Sequence, residues 1–236
     1  MRTSQLPLLL ALPFASLAAC NWNEVETGRL GRVELTPSNC GQPGCDLDSG
    51  LAVGGSLDLS LQGKNGLDVS DLRLVSSAPW LVEVRPNGFD GLVPTFSLLG
   101  NAAGLADLIV VDRYGYEVDY LPVEVATIAD FDVTVVADGM IESLSSGIRT
   151  FEVNAGAQVT VHVDGTSRGQ VLMGEVQLLA ELDAAIATSL APASDPARGD
   201  LSFTAPLGNH DVVFTAPGGT RVQLRIVGRG VVTPTR

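Results

Sequence analysis

The chain has 236 residues, of which 27 are Asp or Glu and 14 are Lys or Arg, for a formal net charge of −13 at pH 7. An excess of acid on this scale argues against a nucleic-acid partner and against a flat electrostatic seat on anionic lipid. The length accommodates two domains of ordinary size, and 45% hydrophobic residues is enough to give each a core.

Arg2 gives the N-terminus a positive charge, and residues 6–17 form an apolar run of leucine, alanine, proline and phenylalanine. This is the layout of a signal peptide. The run contains Pro7 and Pro13 and falls short of the roughly 20 apolar residues that span a bilayer. It ends in Leu17-Ala18-Ala19-Cys20, which resembles the lipobox of bacterial lipoproteins. The resemblance implies lipid on the Cys20 sulfur, cleavage before it, and a mature protein held in a bacterial envelope membrane. Acyl chains contribute about 0.8 kcal/mol per buried methylene, so two or more anchor a protein stably. A soluble secreted protein with a chance cysteine at its cleavage site is the alternative. Asn21 follows where an aspartate would mark inner-membrane retention, which leans the expectation to the outer membrane.

Residues 1–19 are thus expected to be a leader and residues 20–29 a lipidated tether with little apolar periodicity. Beyond it, Cys40 and Cys45 enclose Gly41-Gln42-Pro43-Gly44. In an oxidising envelope such a pair reads as a disulfide. Its small ring contributes about 2 kcal/mol in chain-entropy terms. Zinc is disfavoured because no histidine lies nearby. Asp46-Leu47-Asp48-Ser49-Gly50 starts like a calcium loop but meets Leu57 at the closing position, where an acid is needed.

From residue 30 onward short apolar segments alternate with Gly, Pro, Asn and Asp clusters, an all-β pattern. Residues 56–61 place Leu57, Leu59 and Leu61 on one face of a strand. Residues 72–75 and 81–85 are the next strands, joined through Ser76-Ser77-Ala78-Pro79. Residues 93–98 contain Pro94 and are expected at a sheet edge. The nearly continuous apolar run 105–112 reads as a central strand. Asp112-Arg113-Tyr114-Gly115 then turns the chain into residues 116–126, closing a hairpin. Trp80 is expected in the core.

The second half repeats the plan. Val159, Val161 and Val163 alternate as the three leucines do, at an offset of 102 residues. At an offset of 104, Asp107 falls on Asp211, Gly115 on Gly219, Val118 on Val222 and Val123 on Val227. A period near 100 residues is the size of one immunoglobulin-like sandwich. Gly54-Gly55 before Leu57, then Ser76-Ser77-Ala78-Pro79-Trp80-Leu81-Val82, then residues 104–125, resemble bacterial immunoglobulin-like domains of surface proteins. The second copy offers Gly156, Ala184-Ala185-Ile186-Ala187-Thr188 and residues 208–227 but lacks the Ser-Ser-x-Pro step. The resemblance implies two tandem β-sandwiches, at residues 30–126 and 131–229, with 127–130 as a short linker, 230–236 as a tail and a semi-rigid join between the two. Residues 176–190 carry Leu178, Leu179, Leu182 and Ile186 at helical spacing. The repeat argues for strands there, with a short inserted helix as the alternative.

Chemistry is sparse. The two histidines, His162 and His210, are read as structural, and no Gly-x-Ser-x-Gly elbow occurs. No catalytic residue and no cofactor are expected, and the protein is read as non-enzymatic. No metal site is expected: Asp130 and Asp132, with Glu124 nearby, flank the linker, where calcium would stiffen a joint, but they read first as solvated acidic turns. The expected role is a lipid-anchored envelope protein presenting two immunoglobulin-like domains for adhesion, for binding a protein or glycan, or as a spacer. The alternative is a periplasm-facing accessory subunit of an envelope or secretion complex.

Overall fold

The structure, a computed structural model, describes residues 25–38, 47–145 and 147–230. Cys20, Cys40, Cys45, Trp22 and Asp46 lie outside the described residues, as does the rest of the Leu17-Ala18-Ala19-Cys20 tetrapeptide. Among the described residues no helix is long and apolar enough to cross a membrane.

The first half consists of strands β1 (Glu26–Thr27), β2 (Val33–Pro37), β3 (Leu51–Ala52), β4 (Gly55–Gly63), β5 (Arg73–Ser76), β6 (Val82–Asp90), β7 (Val93–Gly100), β8 (Gly104–Val111) and β9 (Glu117–Ala126). They form two facing sheets, β1-β2-β4-β7-β6 and β3-β9-β8-β5. The alternating leucines of β4 explain why the sheets meet. Leu57, Leu59 and Leu61 are fully buried on one face, opposite Leu108, Leu121 and Val123 of the other sheet in a single cluster. All the pairings are antiparallel except β3 with β9, which is parallel.

The second half consists of β10 (Asp130–Ala137), β11 (Ile141–Ser145), β12 (Ile148–Asn154), β13 (Gln158–Ser167), β14 (Gln170–Val171), β15 (Glu175–Val176), β16 (Leu179–Leu182), α1 (Ala184–Thr188), β17 (Leu201–Thr204), β18 (Gly208–Thr215) and β19 (Arg221–Arg229). Its sheets are β10-β13 with β17 on the far side of β13, and β11-β12-β19-β18-β16. Val159, Val161 and Val163 of β13 are buried against Phe214, Leu224 and Ile226 in a second cluster.

The two halves share one strand plan. In each, a first strand pairs with the alternating strand, which pairs with a later one (β2-β4-β7 and β10-β13-β17). In each, an early strand runs parallel to the last (β3 with β9, β12 with β19), and the last two form a hairpin flanked by a middle strand. This order, with the first, alternating and later strands in one sheet and the final hairpin beside a middle strand in the facing one, is the immunoglobulin arrangement. The chain is all-β, with two tandem immunoglobulin-like sandwiches. In the second, the place of β6 is taken by a single bridge of Leu190 to Phe203 beside β17. Between β16 and β17 this sandwich has α1 and a turn of 3-10 helix at Pro196–Arg198.

Four expectations need correction. The strand carrying Pro94 is internal, between β4 and β6, and the edge is β6. Proline is tolerated because the ladder with β4 stops at Ser60 and Thr95, one residue short of it. Residues 176–190 are neither all strand nor one helix: β16 is followed by a five-residue helix capped by the Asp183 carboxylate on the Ala185 N–H. Trp80 is 70% exposed, in the turn before β6, where Ala78 takes the buried position. The 104-residue offset holds for β8 and β18 but slips by one in the last strands. Between Val110 and Val111 the pairing with β9 skips Val118, a bulge that the second hairpin lacks. Val123 therefore faces its core, whereas Val227 does not and Ile226 does.

Candidate functional site at the joint

The segment between β14 and β16 leaves its own sandwich and lays a strand on the other. Met173 accepts from the Ala52 N–H at 2.9 Å and donates its own N–H to Gly50 at 2.8 Å. Two residues on, Glu175 and Val176 of β15 pair with Ser56 and Gly55 at the start of β4. The exchange is reciprocal, because Met173 is buried in the first core and Ala52 in the second. Ile128, in the expected linker, is buried over Gly165, where an added Cβ would lie 2.5 Å from its side chain. Its carbonyl accepts from the Thr220 hydroxyl at 2.6 Å.

These pieces leave a cavity of about 110 Å³ with an apolar wall of Ala52, Ile128, Leu172 and Leu178 and a charged rim of His162, Asp164, Glu175, Arg198 and Asp200. The rim is paired within itself. His162 Nε2 lies 3.1 Å from Asp164 and Nδ1 lies 2.5 Å from Asp200. Both ring nitrogens face carboxylates, so both must donate, which requires the imidazolium. The hydrogen bond to Asp164 is the largest cause, and with that to Asp200 it overcomes partial burial and raises the His162 pKa to about 9. Held charged at neutral pH, this ring is no general base. Arg198 bridges Glu175 at 2.8 Å and Asp195 at 3.3 Å, tying the 3-10 turn to β15.

The other histidine is also committed. His210 Nδ1 lies 3.0 Å from Asp183 and Nε2 3.0 Å from the Leu207 carbonyl, so it steadies the helix cap. The calcium candidates are not brought together. Glu124 pairs with Arg168 at 3.1 Å, while Asp130 and Asp132 are exposed on β10 and Asp130 accepts from the Phe131 N–H. Among the described residues no three His, Cys, Asp or Glu side chains gather as metal ligands.

One site had no expectation attached. Asp119, at an inward position of β9, is fully buried and accepts from the backbone N–H groups of Leu30 (2.7 Å), Arg32 (2.8 Å), Val33 (3.1 Å) and Tyr120 (2.9 Å). Burial pushes this carboxyl up, but the four N–H donors together outweigh it and hold it below the ordinary range. The chain passes over it at Gly28, where a Cβ would lie 2.4 Å from the carboxylate. Glu26–Thr27, inside the expected tether, already pair with β2 as strand β1. The signal for this clasp was an acid in step with the inward positions of an apolar strand, Asp119-Tyr120-Leu121-Pro122-Val123; the pairing of the hairpins puts Val222 in its place in the second sandwich.

No family model matches the chain, and no curated protein matches it. Solved structures that align with it include domains 5-6 of the S-layer protein SbsC, at 13% identity and a TM-score of 0.30, over 82% of this chain and 99% of that one. The Escherichia coli adhesin FdeC aligns at 16% identity and a TM-score of 0.29, over 87% of this chain and 66% of that one. The Yersinia pseudotuberculosis adhesin InvE aligns at 16% identity and 0.30, over 79% and 58%. The fold assignment rests on the strand order of the two sandwiches themselves.

Proposed function

We propose that the chain is a non-enzymatic lipoprotein of the bacterial envelope, anchored through Cys20, that presents two joined immunoglobulin-like sandwiches to a protein or glycan partner or as a spacer. The observation that carries this reading is the position of Cys20. It closes an apolar leader and stands five residues before Val25, where the described fold begins. A leader of this kind followed directly by a folded acidic unit fits a molecule that works while held to a membrane. The state of the two histidines supports the non-enzymatic part, since each is spent on a structural contact.

The test is Cys20→Ala. The unaltered protein should sediment with membranes and take up labelled fatty acid, and the variant should be soluble and unlabelled. A variant that stays with the membrane overturns the anchor. Protease shaving of intact cells tests display on the cell surface. Domains protected until the outer membrane is opened would place the protein in the periplasm, as an accessory subunit.

A further inference from the structure

The dipeptide Asn-Gly occurs twice, at Asn65-Gly66 and at Asn87-Gly88. In such a pair the glycine nitrogen can attack the asparagine side-chain carbonyl, because the second residue has no Cβ to stand in the way. Both pairs lie on the surface, so exposure does not separate them. What separates them is how the fold treats each asparagine amide.

Asn87 is held. It sits at the bulge of β6, between Pro86, paired with Phe96, and Gly88, paired with Thr95. Its Nδ2 donates to Asp58 Oδ1 at 3.2 Å and to Ser97 Oγ, and the Ser97 hydroxyl donates to the same carboxylate oxygen. These bonds tie the amide to β4 and β7. Gly88 is fixed as well, its carbonyl accepting from the Thr95 hydroxyl at 3.3 Å.

Asn65 is not held. It lies in the turn after β4, with φ of 53° at Asn65 and 79° at Gly66, and the Leu67 N–H donates to the Lys64 carbonyl at 3.0 Å. Positive φ at both central residues is the type I′ pattern that Asn-Gly favours. One backbone bond closes this turn, and among the described residues the Asn65 side chain has no hydrogen-bond partner. Exposed turns with so few bonds open at little cost in free energy. Opening lets the Asn65 side chain rotate onto the Gly66 nitrogen.

We propose that Asn65 is a site of spontaneous deamidation and isoaspartate formation in the folded protein, and that Asn87 is protected from the same reaction. The Gly66 nitrogen bonds to Asn65 Cγ, its proton passes to the departing amide nitrogen, the Cγ–Nδ2 bond breaks, and ammonia leaves behind a cyclic imide. Water then opens the imide at either carbonyl. One opening restores the main chain with an aspartate, and the other leaves an isoaspartate whose main chain runs through the side-chain carbon. Both products put a carboxylate where a neutral amide stood. The position gives this a consequence. The Lys64 N–H donates to the Arg32 carbonyl at 2.9 Å and its ammonium meets Glu34 at 2.8 Å, so the lengthened chain lies beside the residue that pins β2.

The experiment ages the full-length protein in mildly alkaline buffer made up in heavy-oxygen water, one portion folded and one in urea, and maps the digested peptides by mass spectrometry. In the folded portion the peptide holding Asn65 should take up one heavy oxygen and split into aspartyl and isoaspartyl forms. The peptide holding Asn87 should react more slowly by on the order of a hundredfold, because its hydrogen bonds must break first. In urea the two rates should converge. Asn65→Gln should abolish the change at the turn, since the larger ring it requires closes slowly, and leave Asn87 as it was. Equal rates in the folded portion, or a faster reaction at Asn87, overturn the protection. An Asn65 that stays intact in the folded protein, whatever it does in urea, overturns the site.

Discussion

A carboxylate shut away from water costs several kcal/mol unless hydrogen bonds replace its hydration. Asp119 meets that condition with backbone donors alone, which is why no arginine or lysine is needed beside it. The amide of Asp119→Asn would turn two N–H groups toward backbone N–H donors that need an acceptor. Loss of charge-assisted bonds of this kind costs about 2–3 kcal/mol, which urea unfolding would register. The pH dependence has a definite sign. The folded pKa lies below the ordinary value of 3.8, so the contribution is complete above that value and is lost as pH falls through the folded pKa. The variant should therefore have a flatter acid limb than the parent, and equal limbs would show that the clasp contributes nothing.

At the scale of elements, the same linkage runs the other way in β13. His162 ties this strand to Asp164 on itself and to Asp200 just before β17, and its pKa is raised to about 9. Its stabilisation is complete below the unfolded value of about 6.5 and is lost as pH rises through 9. The ring is partly solvated, so screening leaves on the order of 1 kcal/mol. His162→Gln should remove the decline in melting temperature between neutral pH and pH 10, and a decline that persists would assign it to another group. What could be read of these elements followed their periodicity. Leu57-Asp58-Leu59 and Val159-Thr160-Val161 write their faces into alternate positions, and the last hairpin repeats closely enough to count. The bulge at Val118 could not be read, because one skipped residue changes which valine faces inward without changing composition. Nor could β15, since a two-residue strand has no period and its partner lies more than a hundred residues away. The rim of the cavity was hidden for the same reason: Asp200 and His162 meet only once β17 is laid against β13.

For the whole molecule, the joint decides whether two sandwiches behave as two bodies or one. Domains linked only by a short segment move relative to each other by default. Here each core holds a residue from the other half, Met173 in the first and Ala52 in the second, and β15 continues the first sheet with a strand from the second half. Opening the joint would expose Met173, Ile128 and Leu172 together and would break the backbone bonds of Met173 to Gly50 and Ala52. Neither sandwich can unfold without stripping the other's core, so the described protein should melt in one calorimetric transition. Truncating a buried methionine costs about 2–5 kcal/mol. In Met173→Ala that loss falls on the first core and on the coupling, and leaves the packing of Phe151, Phe203 and Phe214 in the second untouched. The expected thermogram is therefore split, with the first sandwich melting early and the second near the parental temperature. A single transition shifted as a whole would mean that β15 and Ile128 couple the halves without Met173. Two transitions in the unaltered protein would mean that the reciprocal packing does not couple them at all.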